Sequence, residues 1–233
     1  MSYAPHPEGL RSAFKAERFT FEETSVQFSV AEAGRLVVSS GKIAAGDALA
    51  EAAVQPFTQC VPNGRYPVLL AIARFDGGDE RIAYARVQLD AAPVANWYPA
   101  LTATQDARAL KPGEIFGYGV ESGSGSFLDP QAGSLLRSRL DADGDYARTL
   151  LEAMQRTGQP ACSWLEFRPD QSRPENIICF AAGRGDGVFA SYFGYSADGR
   201  VASLVTDFAV IPGVRTEAPR RRPWWHRLLL FWK

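Results

Sequence analysis

Four carboxylates in the 233-residue chain stand where an acid–base or ion-binding centre could be assembled: Glu121, Asp129, Asp186 and Asp207. Glu121 and Asp129 flank the hydroxyl-rich run of "YGVESGSGSFLDP" (118–130), which places Ser122, Ser124 and Ser126 around Gly123 and Gly125. Two carboxylates beside a flexible hydroxyl-rich loop offer oxygen ligands to a hard cation or a polar molecule. The same stretch has a plainer reading as a crossover loop, in which Asp129 caps a helix that begins with Pro130 at its first position. Asp207 interrupts the apolar "VTDFAVI". A carboxylate inside an apolar strand must be paired, hydrogen-bonded or at an edge, which makes Asp207 the candidate for a perturbed acid in a pocket.

Asp186 lies in "GRGDGVFASYFGYSADGR" (183–200), where Arg184-Gly185-Asp186 also spells an integrin-binding tripeptide. The opening MSYAPHPEGLRSAF has no apolar core of a secretory signal, so that match is read as coincidence. A phosphate cradle needs backbone N–H groups that run into a helix N-terminus. Here β-formers follow instead, so Gly183, Gly185 and Gly187 are expected to supply positive-φ positions before a strand, and Ala197-Asp198-Gly199 a turn after it. "DADGDYARTLLE" (141–152) sets Asp141, Asp143, Asp145 and Glu152 at the spacing of a calcium loop, but Tyr146 stands where such a loop requires glycine. Ordinary capping by Asp143 or Asp145 accounts for the same residues, and no metal site is expected.

Histidine sets the firmest limit on chemistry. The chain has two, His6 and His226, both in expected tails, so the body lacks the imidazole that Ser-His-Asp, Cys-His and His-ligated metal centres require. No catalytic residue is assigned and no cofactor is expected. The net charge of −1 divides into a tail (215–233) at +5 and a body at −6, and an acidic body disfavours nucleic acid. The tail, "RRRPWWHRLLLFWK", joins Arg220, Arg221 and Arg222 to Trp224, Trp225 and Trp232, a composition suited to an anionic membrane surface or a partner protein, or to folding back on its own domain. Its apolar run is too short to span a bilayer. Cys60, Cys162 and Cys179 are odd in number and sit in apolar runs, which points to buried free thiols in a reducing cytoplasm.

The elements that would hold these residues are mostly strands. Period-two alternation marks "RFTFEE", "SVQFSV" and "RIAYARVQL", while "RYPVLLAIARF" is apolar on both faces, as a central strand must be. "DGGDE" reads as the turn of a hairpin, Pro99 ends a further strand, and "EIFGYGVESGSGSFLD" reads as a strand that passes into a glycine-rich loop. Helical spacing occurs only at Leu135, Leu136 and Leu140 and at Tyr146, Leu150, Leu151 and Met154, with Gly158 as the stop signal. Residues 1–16 form a lead-in, 17–213 a single domain of about ten strands, and 214–233 the tail. The expected class is α+β, β-rich, with mainly antiparallel sheets, sandwich-like or strongly curved, and a short inserted helical hairpin.

In order along the chain, "SGKIAAGDALA", "QPFTQCVPNGRYPVLLAIARF", "RIAYARVQL", "GYGVESGSGSFLD", "GRGDGVFASYFGYSADGR" and "LVTDFAVI" together resemble a bacterial family known only as a domain of unknown function, number 4241. The resemblance covers roughly residues 34 to 211 and implies no activity, cofactor or catalytic residue. The family's recurring positions correspond to Asp47, Gly64, Tyr66, Gly123, Asp129, Gly185, Asp186, Gly187, Asp207 and Phe208; the chain departs from it at Ala48, where proline is usual, and at Ser126. The functional expectation is a cytoplasmic, non-enzymatic binding module whose partner is another protein; an alternative is a peripheral membrane protein held through its basic, Trp-rich tail. The rival is a carboxylate- or metal-dependent hydrolase that uses Glu121, Asp129, Asp186 and Asp207 together.

Overall fold

The computed structural model describes residues 7–21, 24–111 and 114–211. Its larger sheet is an antiparallel, curled half-barrel. It runs β1 (Arg18–Phe21), β2 (Thr24–Val38), β4 (Gly64–Phe75), β5 (Glu80–Gln88), β12 (Val201–Asp207), β11 (Gly187–Ser196), β6 (Val94–Pro99), and β7 (Tyr118–Val120) pairs with the first part of β11. The smaller sheet has the order β3 (Ala44–Gly46), β8 (Ser124–Leu128), β10 (Ile177–Ala181), β9 (Trp164–Phe167). Between β8 and β9 the chain inserts the helical hairpin α2 (Pro130–Ala142) and α3 (Tyr146–Gln155). The expected β-rich, mainly antiparallel class with an inserted helical hairpin is the one observed.

The smaller sheet lies between two apolar layers, so β3, β8 and β10 are buried on both faces, while β9 at its edge keeps partial exposure. In β10, Ile178 and Phe180 join the core of the half-barrel, while Ile177 and Cys179 pack with Leu136, Leu150 and Met154 of the helices. All five residues of β8 are buried as well. This corrects the sequence expectation that the Gly/Ser run is a loop: "SGSFL" is a buried inner strand whose first three residues are small. The physical reason is close approach. A Cβ on Gly125 would stand 3.0 Å from Phe180, 3.1 Å from the Tyr118 hydroxyl and 3.2 Å from Phe208.

Other expectations also change. Cys60 is exposed, because its segment is a loop and not a strand; Cys162 and Cys179 are buried and unpaired as expected. Burial raises the Cys162 thiol to about 11 and the Cys179 thiol to about 12. Gly183, Gly185 and Gly199 have positive φ (54°, 104° and 84°), but Gly187 is already in β11 and does not. Gly158 does not stop α3, which ends at Gln155 with Arg156 as its C-cap. Against β1, β2 and β4, α1 (Pro7–Ala13) buries Leu10 and Ala13, and Phe14 beyond it sits 4.1 Å under the Arg86 guanidinium.

The two sheets meet along the edge of β2. β1 covers only residues 24–27 of that strand, so the later N–H groups need other acceptors. Asn176 supplies Oδ1 to the Val37 N–H (2.8 Å), and Glu166 supplies Oε2 to the Arg35 N–H (3.3 Å). Glu166 also accepts from the Asn176 side-chain amide (2.6 Å). Gly34, with φ of 141° at a register shift, leaves room for the Glu166 side chain that a Cβ would fill.

A Gly125→Val chain should lose about 1–3 kcal/mol of stability in urea unfolding, because the strand cannot move away from two layers at once. Gly119→Val is the control: no atom stands within 4 Å of its added Cβ, and its stability should stay close to that of the unchanged chain.

Candidate functional site

Two buried aspartates fix the β3–β8 crossing, the point where β3, an edge strand of the smaller sheet, pairs with β8. β3 and β8 run antiparallel, with Ala44 opposite Leu128 and Gly46 opposite Ser126. Asp47 directly follows β3 and Asp129 directly follows β8, so each carboxylate lies next to the turn that leads into the other strand. Asp129, 0 % exposed, accepts from the Ser39 N–H (2.9 Å), the Ser40 N–H (2.8 Å) and the Ser40 hydroxyl (2.8 Å). Its other oxygen caps α2 by accepting from the Gln131 N–H (2.8 Å). Asp47, 4 % exposed, accepts from the Glu121 N–H (2.9 Å), the Ser122 N–H (2.7 Å), the Ser122 hydroxyl (2.7 Å) and the Leu49 N–H (3.1 Å). A carboxylate has about four acceptor sites, so both side chains are filled by the protein's own donors.

Asp129 therefore performs the capping role read from the sequence and holds a distant turn besides. Asp47 was legible only as a family position; its partners lie 74 and 75 residues downstream. The one local signal was its bond to the Leu49 N–H, two residues on, the pattern of an Asx-turn.

The crossing forms one wall of a cavity of about 330 Å³. Ala45, Gly46 and Asp47 line it from β3, Phe116 to Gly119 and Glu121 from β7 and its flanks, and Phe189 and Ser191 from β11. Residues 50–57 pass over it as an alanine-rich strap. Arg137 of α2 holds the strap by donating to the Ala50 and Glu51 carbonyls (3.1 and 2.7 Å), and Val54 packs where Gly46 lacks a Cβ. Phe57 anchors its far end, edge-on to Phe193 at 5.8 Å. The Tyr118 hydroxyl is buried without a well-formed hydrogen bond; nearby Thr206 already bonds Ser191 at 2.8 Å. Burial raises the Tyr118 pKa, although the Thr206 hydroxyl opposes the shift.

The four sequence candidates have four settings. Glu121 is exposed and lines the cavity. Asp129 is enclosed at the opposite end of β8. Asp186 is exposed in the turn before β11. Asp207 closes β12; the residue keeps some exposure, yet burial pushes its carboxyl up to about 6, against the pull of the Ala209 N–H (2.8 Å). Burial first, and the Asp207 charge second, also raise the Tyr84 and Tyr192 hydroxyls. The calcium-like spacing is spent on local contacts: Asp141 pairs with Arg137, Asp143 accepts from the Asp145 N–H, and Asp145 and Glu152 pair with Arg148. Among the described residues, no three His, Cys, Asp or Glu gather as a metal site, and no helix is long and apolar enough to cross a membrane. Arg220, Arg221, Arg222, Trp224, Trp225 and Trp232 lie outside the described residues.

The architecture is thus that of a two-sheet, β-rich protein with an inserted helical hairpin and a cavity beside the β3–β8 crossing. The chain belongs to the family described as protein of unknown function DUF4241, whose model matches residues 36–206. No curated protein and no solved structure matches it.

Two outcomes are expected. Asp129→Ala and Asp47→Ala should each cost about 3 kcal/mol or more in urea unfolding, since several buried donors lose their acceptor at once, whereas Ser122→Ala should cost about 1 kcal/mol. For Asp207 the folded pKa lies above the ordinary 3.8, so the folded state holds the proton more tightly and stability falls as pH rises toward 6. Asp207→Asn keeps an acceptor for Ala209 and should raise the urea midpoint at about pH 8 while matching the unchanged chain below about pH 4.

Proposed function

We propose that this protein is a non-catalytic binding module that engages another protein on the face where the cavity opens. The observation that carries this reading is the state of the two buried carboxylates on the β3–β8 crossing. Groups that could act on a substrate are instead saturated by backbone and serine donors, which gives a wall of fixed shape beside a preformed, mostly apolar cavity. The hydrolase reading needs Glu121, Asp129, Asp186 and Asp207 around one substrate, and Glu121 alone of these lines the cavity. Three unpaired cysteines support placing the module in the cytoplasm, and the acidic charge of the body favours a partner with a basic surface.

The test is affinity capture from extracts of the source cells, followed by calorimetric titration of the purified partner. Ala53→Trp and Gly119→Trp place bulk at exposed lining positions and should weaken that partner's binding by at least about tenfold, the loss of one well-packed contact. A partner that binds both variants as tightly as the unchanged chain would remove the cavity from the interface. Turnover of a substrate by the purified chain would overturn the non-catalytic reading.

A further inference from the structure

We infer that the cavity takes a cationic ligand with an apolar body, an alkyl or aryl ammonium group whose hydrocarbon part fills the pocket and whose charge meets Glu121. This deepens the proposed function, because it assigns a chemistry to the same cavity.

The walls set the apolar half of the inference. Ala45, Val54, Phe57, Ala100 and Phe189 present hydrocarbon to a space of about 330 Å³, on the order of ten water molecules that an apolar group would release.

Charge sets the other half. Two carboxylates line the cavity, Asp47 and Glu121, and no Lys, Arg or His is among its described lining residues. Asp47 has all its acceptor sites filled by neutral donors and no ion-pair partner among the described residues, so its charge is oriented but uncompensated. That charge acts beyond its own contacts. After burial, which is the larger cause, it raises the Tyr118 hydroxyl and the Cys179 thiol. Glu121 differs: only its backbone N–H is engaged, and its carboxylate makes no hydrogen bond or ion pair among the described residues. A low-dielectric cleft lined by one sign of charge concentrates ions of the other sign. The site therefore attracts a cation, supplies a free carboxylate to accept its N–H groups, repels an anion, and gives a neutral analogue only its apolar walls.

Three six-carbon probes separate these contributions: n-hexylammonium, 1-hexanol and hexanoate, titrated into the full chain at neutral pH and low salt, with backbone amide shifts as the readout. Hexylammonium should perturb residues 45–57 and 116–121 and bind about three- to fivefold more tightly than hexanol. Hexanoate should be the weakest. Glu121→Gln should bring hexylammonium close to hexanol without shifting the thermal midpoint, since that side chain holds no structural contact. Ala53→Trp should abolish both. Hexanoate or hexanol binding as tightly as hexylammonium would overturn the inference, as would shifts that map elsewhere, no binding by any probe, or a Glu121→Gln chain that keeps its preference. These results are independent of partner capture: hexylammonium binding without any protein partner would sink the proposed function and leave this inference standing, and a captured partner alongside a chain that binds none of the probes would do the reverse.

Discussion

At the crossing of β3 and β8, two aspartates each follow one strand and close on the turn that leads into the other. The arrangement is reciprocal. Asp47 gathers the Glu121–Ser122 turn, and Asp129 gathers the Ser39–Ser40 turn while capping α2. β3 is only three residues long, and a ladder of that length would not hold its register unaided. The carboxylates supply what the ladder lacks. By fixing both turns they set where β2 gives way to the smaller sheet, where α2 begins, and how the cavity wall is shaped.

The remaining inter-sheet contacts follow the same logic. Beyond β1, the edge of β2 would leave N–H groups unpaired near the interior, and Asn176 and Glu166 meet them from the smaller sheet. Glu175 continues the line by accepting from the Ser39 hydroxyl at 2.8 Å. Burial alone would raise the Glu175 pKa, but the Ser39 hydroxyl and the Arg173 guanidinium outweigh it and hold the carboxyl below its ordinary value. Polar side chains thus join the sheets along the β2 edge, beside the apolar packing of Phe127, Ile178 and Phe180, and most of them are committed to backbone groups. At the cavity the Tyr118 hydroxyl and the Glu121 carboxylate stand outside that pattern, and of the two Glu121 brings a charge, which is why it carries the ligand assignment.

Much of the framework was legible in the sequence because its causes are local. Period-two alternation marked β1, β2 and β5, a run apolar on both faces marked the central β4, Asp129-Pro130 marked the start of α2, and Gly183, Gly185 and Gly199 marked turns through their backbone freedom. The features that escaped depend on partners far along the chain. "SGSFL" carries no alternation, since both of its faces are buried and Ser124, Gly125 and Ser126 meet a space that larger side chains would overfill. The role of Asp47 exists only once residues 121 and 122 are brought to it. The cavity joins segments near 45–57, 100–105, 116–121 and 189–191, and no single stretch announces it.

Amide hydrogen exchange at Ser39, Ser40, Glu121 and Ser122 is the most direct measure of this crossing. Turn amides at such positions ordinarily exchange through small local openings. If the two carboxylates hold the crossing, these four exchange only with global unfolding, as slowly as the amides of Ile178 and Phe180 in β10. Exchange at the rate of exposed turns, while β10 stays protected, would contradict it.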